Sequence, residues 1–104
     1  MLFAFNSKAE ENNIKYYSED SGILSLMYHR FDENKYPSTN IQMDIFKEQM
    51  SIINTSNYKF FDPQYLQKEF NLPKNKKEIL ITVDDAFLSF YKIAWPYLKK
   101  EKIP

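Results

Sequence analysis

An unbroken run of aliphatic and β-branched residues, Ile79-Leu80-Ile81-Thr82-Val83, leads directly into two carboxylates, Asp84-Asp85. A run this short reads as a strand, since helices need about ten or more residues to bury a face. Its lack of polar alternation predicts a parallel strand covered on both faces, and parallel strands need crossover connections. A second run, Ile23-Leu24-Ser25-Leu26-Met27-Tyr28, follows the chain's single glycine, Gly22, and ends at His29-Arg30. Tyr58-Lys59-Phe60-Phe61 reads as a third, shorter strand.

The segments between these strands carry helical spacing. After a polar loop from Asp32 to Thr39 containing Pro37, Ile45/Phe46, Gln49/Met50 and Ile53 recur every three to four residues. Thr39 or Asn40 is the expected cap, and Asn54 to Asn57 the expected stop. Asp62-Pro63 opens a short helix carrying Tyr65, Leu66 and Phe70, which ends before Pro73; a solvated turn from Lys74 to Glu78 follows. After Asp85, the residues Phe87, Phe90/Tyr91, Ala94 and Tyr97/Leu98 form one stripe. Pro96 lies inside that helix and is expected to kink it or remove a hydrogen bond. Lys99, Lys100 and Lys102 suit its C-terminus.

The alternation of strand and helix predicts an α/β fold with a parallel sheet. The last residues, Ile103-Pro104, stand where another strand is expected to begin. Residues 23–104 therefore read as the front portion of a larger domain, with a sheet edge left open. Residues 1–22 read as a flexible lead-in. Met1 to Phe5 are apolar but too few to span a bilayer, so no stable membrane span is expected in the chain. With Ser7-Lys8-Ala9 behind them they match either the remnant of a secretory signal or a frayed terminus.

Composition narrows the function classes. Hydrophobic residues make up 43% of the 104 and aromatics 17%, enough for a core. Fourteen basic residues balance fourteen acidic ones, so no charge surplus draws the chain to nucleic acid. The absence of cysteine removes thiol catalysis, disulfides and thiolate metal sites. One glycine cannot build a glycine-rich phosphate loop.

The candidate chemistry lies at strand ends. In parallel α/β folds the C-terminal strand ends line the functional crevice, where Asp84, Asp85 and the chain's single histidine, His29, are all expected. Adjacent carboxylates repel unless a cation or hydrogen-bond donors compensate. One carboxylate on a divalent metal, with the other free to take a proton, resolves that conflict; a helix cap at Asp85 beside a solvated Asp84 is the plainer alternative. A lone histidine is more often structural than functional, and one imidazole makes a poor transition-metal site.

Ile81-Thr82-Val83-Asp84-Asp85-Ala86-Phe87, with Ser89-Phe90-Tyr91, Trp95-Pro96-Tyr97-Leu98-Lys99-Lys100 and Lys102-Ile103-Pro104, resembles the first signature of bacterial polysaccharide deacetylases with the NodB-type domain, carbohydrate esterase family four. Leu26-Met27-Tyr28-His29-Arg30-Phe31 resembles the first strand of the subgroup acting on exported poly-N-acetylglucosamine. The two pieces stand about fifty residues apart in that family's order. The resemblance covers residues 23 to 104 and implies the N-terminal portion of a distorted (β/α) barrel. It implies an exported hydrolase that removes acetyl groups from N-acetylglucosamine units, with Asp85 as a metal ligand, Asp84 as general base and His29 as the acid for the departing amine. The implied cofactor is a divalent metal, zinc first; the implied partner is a polysaccharide, while oligomeric state stays open.

This sequence departs from that pattern. Val83 replaces a phenylalanine and Ala86 a glycine, so position 86 cannot adopt left-handed angles cheaply. The later His-x-x-x-His pair that completes the family's metal site has no counterpart, so the 104 residues alone are expected to be inactive. Tyr28, Phe31, Tyr36 and Phe87 are candidates for stacking on sugar rings, although most aromatics here are more simply core. The rival reading is a non-catalytic glycan- or protein-binding domain on the same scaffold. Esterase action on another acylated sugar would use the same chemistry.

Overall fold

The computed structural model describes residues 22–66 and 77–104. Strand β1 (Gly22–Tyr28) and strand β5 (Lys77–Val83) form the backbone of the sheet. They pair in parallel over their whole length, from Gly22 against Lys77 to Tyr28 against Val83. Strand β4 (Lys59–Phe60) pairs in parallel with the start of β5, on the side away from β1. The order is therefore β1-β5-β4, with the last strand in sequence between the other two. Two-residue strands β2 (Arg30–Phe31) and β3 (Asn40–Ile41) make a separate small parallel ladder just beyond the end of β1.

One face of the sheet carries the core. Leu26 and Tyr28 from β1 and Ile79, Ile81 and Val83 from β5 meet the inward stripe of helix α1 (Met43–Thr55). That stripe is Met43, Phe46, Met50 and Ile53, spaced at helical intervals, whereas Ile45 and Ile52 point outward. Three aromatic rings lock the centre: Phe46 stands edge-on to Tyr28 at 4.8 Å and to Phe31 at 5.0 Å. The opposite side of β1 is open, with Met27 58% exposed. The covering of both faces expected from the run at 79–83 is thus met on one face among the described residues.

Neither Thr39 nor Asn40 caps α1. Gln42 holds the N-cap position and makes no side-chain cap bond. The acceptor comes instead from Asp32, whose Oδ1 takes the Met43 N–H at 2.6 Å. Asp32 itself sits at φ 51°, a left-handed conformation that aspartate tolerates better than most residues. Replacing Asp32 with Ala removes the cap and raises the cost of that backbone angle. It is expected to destabilise the chain by about 1–2 kcal/mol, read as a lowered thermal midpoint. An unchanged midpoint would show that the cap contributes nothing.

The segment after β5 also differs from a simple kinked helix. Phe90–Ala94 form a π-helical turn, closed by the Trp95 N–H on the Phe90 carbonyl, before α2 (Trp95–Glu101). The wider turn lets Pro96 enter at the start of α2, where its missing N–H is least needed and its ring does not press on the Lys92 carbonyl. Ala94 and Leu98 join the core, and Tyr97 reaches Phe46 at 6.1 Å between centroids. Lys102 ends α2 in a left-handed conformation, and the Ile103 N–H folds back onto the Leu98 carbonyl at 2.9 Å.

The expected helix after Asp62 is a single 3₁₀ turn over Pro63–Tyr65, with Asp62 accepting from the Gln64 N–H at 2.9 Å. Its continuation through Phe70, most of the turn from Lys74, and the lead-in through Ser21 lie outside the described residues.

Candidate active site

The ends of β1 and β5 determine what can meet. Because Tyr28 and Val83 are in-register neighbours, the residues that follow them, His29 and Asp84, leave the sheet from adjacent strand ends. The ladder continues one step further: the Asp84 N–H donates to the Tyr28 carbonyl at 2.8 Å. Asp84 and Asp85 are both exposed and His29 is half-buried. The sequence-derived trio therefore emerges at one end of the sheet, as parallel pairing requires.

The turn that carries the carboxylates is strained. Asp85 lies at φ 63° and Ala86 at φ 43°, two consecutive left-handed residues with no glycine. Ala86 thus adopts a left-handed backbone that glycine would adopt without steric cost. The turn brings Phe87 back over the segment after His29. There the Arg30 guanidinium carbon lies 3.5 Å from the Phe87 ring centroid and 4.5 Å from that of Tyr36.

Further bonds join the two segments. Arg30 Nε meets Glu33 Oε2 at 3.3 Å, and Arg30 Nη1 donates to Thr39 Oγ1 at 2.9 Å. Buried Ser89 donates its hydroxyl to Glu33 Oε1 at 2.6 Å and accepts the Phe31 N–H at 3.2 Å. The sequence reading missed Arg30, Glu33 and Ser89. One signal was present: Arg30 is the chain's only arginine, placed directly after its only histidine. An arginine in a lysine-rich chain marks a position that needs a planar, forked donor.

His29 lines a cleft of about 390 Å³ with Met27, Tyr28, Arg30, Asn40 and Gln49, between the end of β1 and the start of α1. Asp84 and Asp85 do not line it. The sheet brings histidine and carboxylates to neighbouring strand ends, then, but not into one cavity.

Of the aromatic candidates, Phe31 is fully buried and Tyr28 nearly so, which removes both from any sugar-stacking role. Tyr28 donates its hydroxyl to Gln49 Oε1 at 2.7 Å, and burial pushes its phenol above the ordinary value. Phe87 is half-buried against Arg30, and Tyr36 is the exposed partner of the same guanidinium.

No group of three or more histidine, cysteine or acidic side chains able to hold a metal ion occurs among the described residues. Asp85 can offer one carboxylate, and the described residues do not by themselves complete a donor set for a metal. No helix among the described residues is long and apolar enough to cross a membrane.

No family model and no curated protein matches the chain. Among solved structures it is similar to IcaB from Ammonifex degensii, with 36% identity and a TM-score of 0.65. The match covers 80% of this chain and 36% of IcaB, so the chain spans little more than a third of that protein's length. The parallel sheet is consistent with part of a NodB-type fold. The likeness in sequence and fold to IcaB, a poly-N-acetylglucosamine deacetylase, supports the resemblance carried by the two strand-end motifs.

Proposed function

We propose that this chain carries the base and acid of a polysaccharide N-deacetylase acting on exported N-acetylglucosamine polymer, and that its sheet is part of a distorted (β/α) barrel. The observation that carries the reading is the register of β1 against β5, which sets His29 beside Asp84-Asp85 in a chain 36% identical to IcaB. The order β1-β5-β4 departs from the strictly sequential winding of a regular barrel, so the barrel part of this reading rests on the likeness to IcaB.

Amide hydrolysis needs a base near the attacking water, an acid near the departing nitrogen and electrophilic help for the carbonyl, which a divalent ion such as zinc supplies in metal-assisted hydrolysis. In this reading Asp84 takes the proton from water as its oxygen attacks the acetyl carbon. His29 protonates the sugar nitrogen as the carbon–nitrogen bond breaks, releasing acetate and a free amine. Asp85 is one prospective ligand for the ion. The chain holds one histidine, so a two-imidazole complement would have to come from outside these 104 residues.

The test is a chimera in which residues 22–104 replace the corresponding part of IcaB, assayed for acetate release from poly-N-acetylglucosamine oligomers with added divalent metal. Turnover supports the reading, and a folded but silent chimera sinks it. The second reading, a non-catalytic glycan-binding domain, is favoured by the insufficient donor set among the described residues. It predicts that same silence together with retained binding to the oligomer.

A further inference from the structure

The Asp84–Ala86 turn holds two successive left-handed residues, Asp85 at φ 63°, which aspartate tolerates better than most, and Ala86 at φ 43°, which is sterically disfavoured. Such strain persists only where the surroundings over-determine it. Here the surroundings come from one segment, the residues flanking His29. The Asp84 N–H is tied to the Tyr28 carbonyl, Phe87 lies under the Arg30 guanidinium, and Ser89 is bonded to both Phe31 and Glu33. Glu33 closes the circuit by holding Arg30 as well as Ser89.

Arg30 is central to this arrangement. Its side chain is only 16% exposed, with Phe87 against one part of the guanidinium, Tyr36 against another, and hydrogen bonds from its edge to Glu33 and Thr39. A flat cation can stack on rings and donate in its own plane at the same time, which a lysine ammonium cannot do. Lysine supplies every other basic residue of the chain, and the single arginine stands here.

We infer that Arg30 is a positioning residue: clamped against Phe87 and Tyr36, it holds the strained Asp84–Ala86 turn against the His29 segment and so fixes the carboxylates relative to the imidazole. The purpose of that geometry rests on the deacetylase reading. The clamp itself is tested without turnover.

The experiment is amide hydrogen exchange by NMR on the full 104-residue chain. The reporters are the Asp84 N–H, bonded to the Tyr28 carbonyl, and the Phe90 N–H, bonded to the Phe87 carbonyl. The amides of Met50 and Ile53, on the buried face of α1, serve as the reference for global opening. Arg30→Ala is expected to speed exchange at Asp84 and Phe90 by about ten-fold or more, and at Met50 and Ile53 by less than about two-fold. Phe87→Leu, which keeps bulk but removes the ring, is expected to do the same. Arg30→Lys should fall between, since it retains the charge facing Glu33 without the stacked plane. Unchanged exchange at Asp84 and Phe90, equal acceleration of all four amides, or full rescue by lysine would each overturn the inference. A silent chimera in the acetate assay leaves these readings standing, so the two ideas fail separately.

Discussion

Phe46→Ala is expected to abolish the cooperative fold of this chain. Phe46 has no exposed surface and sits edge-on to Tyr28 at 87° and to Phe31 at 79°, with Tyr97 closing the far side. Emptying such a site loses the transfer energy of the ring and leaves a cavity, together about 3–5 kcal/mol. A domain of this size has only about 5–15 kcal/mol in hand, and a sheet of three strands, its outer edges unpaired among the described residues, lies toward the low end. Near-ultraviolet circular dichroism should collapse at 25 °C while far-ultraviolet signal partly survives. Ile52→Ala, on the outer side of the same helix and 59% exposed, should shift stability by no more than about 0.5 kcal/mol. Equal melting of the two variants would mean that the aromatic cluster is not the core.

The second large effect concerns chemistry. In an active chimera with IcaB, Asp84→Asn should lower kcat by about 10²–10⁴-fold with little change in KM. Asparagine keeps the shape and the backbone bond to the Tyr28 carbonyl, but it cannot take a proton from water. Because the substitution is nearly isosteric and its site is exposed, the thermal midpoint should stay where it was. His29→Gln should also lower kcat, by about 10²-fold or more, through loss of the acid for the departing amine. Full activity in the Asp84 variant would remove the base assignment and return the pair to the plainer role of a solvated turn.

The strands that position the site were legible in sequence because β1 and β5 are long enough to show as apolar runs, with His29 and Asp84 immediately after them. Parallel pairing then made their meeting a geometric consequence. The ladder of β2 and β3 was not legible, since two-residue strands carry no periodicity and lie at the edges of what reads as a polar loop. The cap of α1 escaped for a related reason: its acceptor, Asp32, stands eleven residues before Met43, beyond the range of local capping rules. The strand order escaped as well, because nothing in a two-residue β4 says on which side of β5 it pairs. In the site itself, glycine's absence at position 86 was visible as a departure. The compensating contacts were not, since Phe31 and Ser89 are 58 residues apart. The stacking surfaces inferred from aromatic content failed at Tyr28 and Phe31 because those rings are the core.

The bond from Asp32 to the first turn of α1, taken with the bonds of Ser89 to Phe31 and Glu33, also determines how this piece of protein can be divided. A junction placed between Asp32 and Met43 would leave the helix without its acceptor, and one placed between Glu33 and Ser89 would split a shared carboxylate. From Arg30 to Ser89 the chain is thus a single unit of exchange: it can be transplanted whole or not at all. Junctions that keep these bonds are therefore expected outside Arg30–Ser89, for example just ahead of β1 or just after the π-helical turn.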